Sequence, residues 1–221
     1  MDFAQRRRRM VNLLRRETKD QRVLEAMGKV AREEFVPETH RHLAYEDMAL
    51  PIEEGQTISQ PLMVAVMVSA MQVKPTDKVL EVGAGSGYQA AVLSLLARQI
   101  IATERIPLLV ELAGARLLRL GYLNVQVRLA GEALGCPEAA PYDCIIVAAG
   151  GPLLPRDLLD QLADGGRLVI PVGSRLEQQL MKVTKSNNGY IVETLGGCRF
   201  VPLIGKGAWE LEDDPDGEEG R

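Results

Sequence analysis

A short apolar run that breaks into alternating glycines, Val79-Leu80-Glu81-Val82-Gly83-Ala84-Gly85-Ser86-Gly87, constrains the fold of this chain more than any other segment. Residues 79–82 read as a buried strand, and the glycines read as a tight turn that opens a helix. Glycine lets backbone pass close to a ligand where a Cβ would collide with it. In open α/β sheets such ligands lie beyond the carboxyl ends of the strands. A dinucleotide fingerprint needs glycine at the first, third and sixth positions; Gly83 and Gly85 satisfy two of these, but the sixth is Tyr88. A nicotinamide oxidoreductase is therefore disfavoured.

The segments that follow agree with a sheet of this kind. Short apolar runs at 78–82, 99–103, 125–129, 144–147 and 167–171 alternate with helical patterns at 87–97, 107–120 and 155–162. That alternation predicts βαβ units and a mainly parallel sheet. Two more strand-like runs, 179–184 and 190–195, flank Asn187-Asn188-Gly189, a hairpin turn that predicts an antiparallel C-terminal end. Upstream, 3–16 carries Met10, Val11, Leu13 and Leu14 among arginines and reads as a helix, and Asp20 stands where it caps a second one. Pro37 closes that helical region, because the residue before a proline disfavours helix. Residues 44–59 are expected to be extended or looped, and Pro61 to be the first residue of a helix reaching about Met71. The expected architecture is one doubly wound α/β domain over 1–205. Within it 1–60 form a helical cap and substrate-loop region, 61–205 form the sheet, and 206–221 follow as an acidic, flexible tail.

With 221 residues and 46% hydrophobic content, the chain is long and apolar enough for that core. A net charge of -4 argues against a wholly basic nucleic-acid binder. Charge is uneven, however: Arg6, Arg7, Arg8, Arg9, Arg15 and Arg16 crowd the start. A solvated helix face is the plainer reading of that run, and contact with phosphates or an acidic surface the other. Cys136, Cys144 and Cys198 are far apart and form no CxxC pair, so they read as free thiols, with no disulfide framework and no metal expected. The early positive charges precede no apolar stretch, so no signal peptide is expected. The most apolar helix-like run, 62–71, is too short to span a bilayer. No membrane and no nucleic-acid partner is expected, and the expected location is the cytoplasm.

The order acid-x-Gly-x-Gly-x-Gly, from Glu81 to Gly87, resembles the S-adenosyl-L-methionine (AdoMet) loop of class I methyltransferases, whose sheet is Rossmann-like. The resemblance implies that Glu81, Gly83, Ala84, Gly85, Ser86 and Gly87 bind that cofactor. The second strand runs into Glu104-Arg105, where a carboxylate can accept from both ribose hydroxyls; an exposed acid paired with Arg105 is the alternative. The third leads to Gly131-Glu132-Ala133, a place where adenine is often held in such folds.

Gly55-Gln56-Thr57-Ile58-Ser59-Gln60-Pro61 resembles the signature of the protein-L-isoaspartate (D-aspartate) O-methyltransferase family. Phe35-Val36-Pro37, Ala44-Tyr45-Glu46-Asp47, Glu104-Arg105-Ile106, residues 141–147, the stretch 162–173 and Arg199-Phe200-Val201-Pro202-Leu203 extend it over roughly 20–205. The family transfers the AdoMet methyl group to the free carboxylate of L-isoaspartyl residues in damaged proteins and peptides, leaving S-adenosyl-L-homocysteine. The ester then collapses to a succinimide, and hydrolysis returns some normal aspartate. A carboxylic acid with a pKa near 4 is already an anion at neutral pH, so no strong general base is needed. In accord with this, the two histidines, His40 and His42, lie outside every cofactor segment. The task left to such an enzyme is in-line alignment and exclusion of water. The resemblance implies that Ser59 donates a hydrogen bond to the substrate carboxylate, against its reading as a helix cap before Pro61. It further implies that Thr57, Ile58 and Val201 line the peptide and cofactor cleft, against ordinary packing.

The chain departs from the family in two places. Gly131-Glu132-Ala133 stands where Gly-Asp-Gly is usual, and Ala148-Ala149-Gly150-Gly151 is richer in glycine. A class I methyltransferase with a small-molecule or RNA acceptor, and an AdoMet-binding module without turnover, are the competing readings.

Overall fold

The computed structural model describes residues 2–210; of the flexible tail expected over 206–221, residues 211–221 lie outside the described residues, whereas Trp209 is fastened to the fold, its Nε1 donating to the Gly150 carbonyl at 3.1 Å. Helix α1 (Phe3–Leu14) starts where the Asp2 carboxylate accepts the Gln5 N–H at 3.0 Å. Helix α2 (Gln21–Lys29) starts at Asp20, whose Oδ1 accepts from the Arg22 and Val23 amides at 3.0 and 3.4 Å, the cap anticipated there. The arginine run divides between two environments. Arg7 donates to the Tyr45 hydroxyl at 2.7 Å and pairs with Glu33 at 3.0 Å, while Arg8, Arg9, Arg15 and Arg16 remain exposed.

Two 3-10 turns, Arg32–Phe35 and Glu38–Leu43, lead into a small antiparallel hairpin of β1 (Leu50–Pro51) and β2 (Thr57–Ile58). Helix α3 (Pro61–Met71) opens with proline at its first position, as expected. Its N-cap residue is Gln60, which makes no side-chain cap bond; instead Asp47 Oδ1 accepts the Leu62 N–H at 2.8 Å from fifteen residues upstream. The capping alternative for Ser59 is thereby removed. Helix α3 is apolar almost all round because it is sandwiched between α1 and α2 on one side and the sheet on the other.

The chain then alternates: β3 (Lys78–Val82), α4 (Tyr88–Ser94), β4 (Gln99–Glu104), α5 (Pro107–Arg119), β5 (Val125–Leu129), β6 (Tyr142–Val147), α6 (Arg156–Asp160), β7 (Leu162–Gly173), β8 (Gln178–Ser186) and β9 (Gly189–Cys198). The sheet order is β5-β4-β3-β6-β7-β8-β9, parallel as far as β7 and antiparallel beyond it. Strand β3 is buried on both faces. Val79 joins the cluster that holds Val64, Met71 and the N-terminal helices, and Leu80 and Val82 join one with Ile145, Leu168 and Leu158. A strand covered on both sides reads as a continuous apolar run, which is why it stood out in the sequence.

Helices α4 and α6 fall furthest short of their patterns. Helix α4 stops at Ser94, whose hydroxyl bonds the Ala91 carbonyl at 2.7 Å, and Asn124 Nδ2 takes the Ser94 and Ala97 carbonyls at 2.9 and 3.2 Å. Helix α6 stops at Asp160 because β7 begins at Leu162, five residues before the expected start at Arg167.

Candidate active site

Strand order reverses between β3 and β6, the switch point where an open α/β sheet leaves a crevice. A cleft lies there, floored by the segments that follow β3, β4, β5 and β6. Its far walls are Gln56-Thr57-Ile58-Ser59, from the small hairpin, and residues 201–205, from the C-terminal segment. Every candidate residue named from the sequence lines this cleft except Gly87: Thr57, Ile58, Ser59, Glu81, Gly83, Ala84, Gly85, Ser86, Glu104, Arg105, Glu132, Ala133 and Val201. Gly87, with φ 87°, is the N-cap of α4, and a Cβ on it would meet Leu117 Cδ1 at 3.2 Å. It sets how closely α4 packs on α5 rather than facing the cleft.

The glycine loop is held by backbone and by one acid. The Gly83 and Ala84 amides both donate to the Thr103 carbonyl, at 2.8 and 3.0 Å, which folds the loop back over β4. Gly83 and Gly85 take φ of 90° and 51°, a region that favours glycine. Glu104 is buried: its Oε2 accepts the Gly85 N–H at 3.0 Å, and its Oε1 the Arg105 and Ile106 amides at 2.8 and 3.1 Å. It is therefore not the exposed, arginine-paired acid of the alternative reading. Each carboxylate oxygen keeps acceptor capacity toward the cleft. Arg116, absent from the sequence candidates, donates to the Ser86 carbonyl at 2.7 Å and anchors the loop from α5.

Glu81 is the most perturbed group here. It is 1% exposed, its Oε1 accepts from Gln89 Nε2 at 3.0 Å, and its Oε2 is buried with no hydrogen-bond partner among the described residues. Burial pushes its pKa up to about 8; the Gln89 bond works against that rise, and the nearby Glu104 charge adds to it. An unpartnered buried carboxylate oxygen in a cleft is a ready acceptor for a ligand cation.

The glycine-rich Ala148-Ala149-Gly150-Gly151 has a steric explanation. A Cβ on Gly150 would lie 2.6 Å from the Gln178 side-chain amide. That amide takes the Phe200 N–H at 2.8 Å through Oε1 and reaches the Ser174 and Phe200 carbonyls through Nε2. Gly150 in turn pairs with the next residues, accepting from Leu203 N and donating to Val201 O, both at 2.8 Å. Gln178 and Gly150 thus fasten the segment that brings Val201 to the cleft. Asp47, Arg116 and Gln178 were missed from the sequence, since each acts through a contact remote in the chain, and so was Gln89, which reaches Glu81 across the glycine loop.

The family model for protein-L-isoaspartate(D-aspartate) O-methyltransferase matches residues 5–208. A protein-L-isoaspartate O-methyltransferase of Roseiflexus sp. (strain RS-1) is 51% identical over 217 residues, covering 98% of this chain and all of the relative. That of Protochlamydia amoebophila is 58% identical over 193 residues, 86% of this chain and 92% of the relative. Among solved structures, a protein-L-isoaspartate O-methyltransferase superposes with a TM-score of 0.83 at 28% identity, over 91% of this chain and 67% of that one. A Plasmodium falciparum protein solved with S-adenosyl-L-homocysteine gives 0.79 at 27% identity, over 90% and 99%.

Proposed function

This chain belongs to the protein-L-isoaspartate(D-aspartate) O-methyltransferase family, and from that premise we propose how its own residues divide the work. It is a repair enzyme that methylates the free carboxylate of isoaspartyl residues in proteins, using AdoMet. When bound, AdoMet supplies an electrophilic methyl group on a sulfonium centre. The residues present fit it: the unpartnered Glu81 Oε2 suits the cofactor's amino group, Glu104 suits ribose hydroxyls, and the glycine loop keeps Cβ atoms away. Arg105, Glu132 and Ala133 line the part of the cleft left for the adenosine.

Across the cleft, Ser59 takes the acceptor. An isoaspartyl carboxylate is ionised at neutral pH, so the chain need not remove a proton from it. The Ser59 hydroxyl donates to one carboxylate oxygen and so aims the other without neutralising the anion. Thr57 and Val201 hold the peptide on either side, and Ile58, buried at the hairpin, closes the cofactor side. In this division residues 1–60 supply most of the acceptor wall, joined by Val201, and 61–205 the cofactor sheet. The observation that carries the reading is one cleft lined both by Ser59, uncommitted to helix capping, and by Glu81 and Glu104. The three cysteines are free thiols, which fits a reducing compartment, and we take the cytoplasm as its place of action.

The test is transfer of labelled methyl from AdoMet to a synthetic isoaspartyl peptide, with the matched aspartyl peptide as control. Base-labile label on the isoaspartyl peptide alone is expected. Ser59→Ala should lower kcat by about 10- to 100-fold, the range for one hydrogen bond to a charged group. Transfer to RNA instead, or AdoMet binding without any transfer, would overturn the reading. A second prediction concerns adenine recognition. Glu132 is exposed at the cleft rim and nothing lies within 4 Å of a Cβ on Gly131, so the loop has room to adjust. Glu132→Asp is expected to keep or improve AdoMet affinity by calorimetry, and a large loss would remove Glu132 from the adenine site.

A further inference from the structure

Arg32 is fully buried, yet no carboxylate lies within ion-pair distance of it among the described residues. Its Nε donates to the Ala44 carbonyl and its Nη2 to the Ser59 carbonyl, both at 2.8 Å. Its guanidinium lies 4.7 Å from the centre of the Tyr88 ring, and Nη1 has no hydrogen-bond partner among the described residues. Tyr88 is the first residue of α4, donates its backbone N–H to the Ser86 hydroxyl oxygen at 3.3 Å and lines the cleft. A buried guanidinium held by two carbonyls and a ring is an expensive way to fill space, since an apolar side chain of similar volume needs no desolvation. Its position accounts for it better than stability does. One planar cation bridges the acceptor segment at Ser59 and the helix that leaves the cofactor loop.

We propose that Arg32 is a positioning residue for methyl transfer: by holding the Ser59 carbonyl against Tyr88, it sets where the Ser59 hydroxyl stands relative to the glycine loop. This rests on the assignment of Ser59 to the substrate carboxylate. Asp47 completes the clamp from the other end, since it takes the Leu62 N–H three residues further on. Between these two anchors Ser59, Gln60 and Pro61 have little freedom to shift. A planar fork fits two carbonyls and a ring together, whereas the point charge of lysine fits fewer of them. A displacement of about 1 Å in a group that orients the reacting atoms is enough for a loss of about 100-fold in rate.

The test uses Arg32→Met, Arg32→Lys, Ser59→Ala and the two Arg32–Ser59 double variants, measured on the full chain against wild type. Binding of S-adenosyl-L-homocysteine is read by calorimetry, and kcat and KM on the isoaspartyl peptide. Arg32→Met should lower kcat by about 10- to 100-fold, no more than Ser59→Ala does, and Arg32→Lys by about 10-fold or less, with KM and product affinity within about threefold of wild type. Each double variant should lose less than about threefold beyond Ser59→Ala, because a residue that acts through Ser59 has nothing left to position. Losses that multiply in the double variants would show that Arg32 acts elsewhere. Unchanged kcat in Arg32→Met, or a fall matched by loss of product binding, would equally overturn the proposal. If Arg32→Met does not fold, Arg32→Lys and its double variant decide by the same criteria. Absence of isoaspartyl methylation by wild type would instead count against the Ser59 assignment itself, so the two failures are distinct.

Discussion

Replacing Glu81 with glutamine will weaken AdoMet binding by about 100- to 1,000-fold, the range for truncating one partner of a buried charge pair, while making the cofactor-free protein more stable above neutral pH. The two effects share one cause. Glu81 is 1% exposed, and its Oε2 meets no donor among the described residues. Burial, aided by the Glu104 charge, lifts its pKa from 4.5 to about 8. The sign follows from proton linkage. Between those values the folded protein holds a proton that the unfolded chain has already released, so stability falls as pH rises through that window. Glutamine does not titrate and still accepts from Gln89, so the variant escapes that fall. A ligand amino group reverses the balance by favouring the carboxylate, and wild type should therefore release close to one more proton than the variant on binding AdoMet at pH 7. Calorimetry in two buffers of different ionisation enthalpy measures that difference directly. Equal proton release by the two proteins, or an affinity loss below about threefold, would place the cofactor's amino group elsewhere.

The second large effect is expected at the opposite end of the sheet. Asp77 is 4% exposed, and its Oδ2 accepts from Arg167 Nη2 at 2.7 Å, from the Lys74 N–H at 2.9 Å and from the Cys144 thiol at 3.5 Å. Burial pushes the Cys144 thiol up to about 12 despite the neighbouring Arg167, so it stays protonated and donates. Arg167 already has Nε buried without a hydrogen-bond partner among the described residues. Asp77→Ala would leave that largely buried guanidinium with the Cys144 sulfur, 2.7 Å away, as its one side-chain partner among the described residues. Breaking a buried pair from one side costs about 3–5 kcal/mol, because a charge is left uncompensated. For a chain of this size that lowers Tm by about 10 °C. Asp77 precedes β3 at its amino end, and the cleft lies beyond the carboxyl ends, so S-adenosyl-L-homocysteine affinity measured well below the transition should not change. Replacing both partners, Asp77→Leu with Arg167→Met, should recover most of the lost stability. A Tm shift under about 3 °C for Asp77→Ala would mean that the pair contributes little.

Most of the core sheet was legible because its signals are local. A strand buried on both faces has to be apolar along its whole length, and the loop after β3 has to carry glycine where φ is positive. Pro61 announced the start of α3 and Asp20 the cap of α2 for equally local reasons. The ends of α4 and α6 were not legible: Asn124 caps the carbonyls after α4 from thirty residues away, and β7 begins early beside α6. The β1–β2 hairpin was hidden because two-residue strands leave no periodicity to read.

The candidate site divides in the same way. The cleft-lining residues named from the sequence sit in short motifs, Gly83 to Ser86, Glu104-Arg105 and Thr57 to Ser59, which is why they could be picked out without the structure. The residues that hold those motifs in place do not sit in them. Arg32 grips Ser59 from twenty-seven residues upstream, Asp47 caps α3 from a loop, Arg116 anchors Ser86 from α5, and Gln178 fastens Phe200 beside Val201. The order of chemical groups along the chain therefore determined which chemistry is possible, because motif spacing is written in consecutive residues. Tertiary structure alone decided which buried charge stays unpaired, which serine stays free of a helix cap and which glycine serves packing rather than the cleft. Those properties depend on neighbours brought close in space, and folding chooses them.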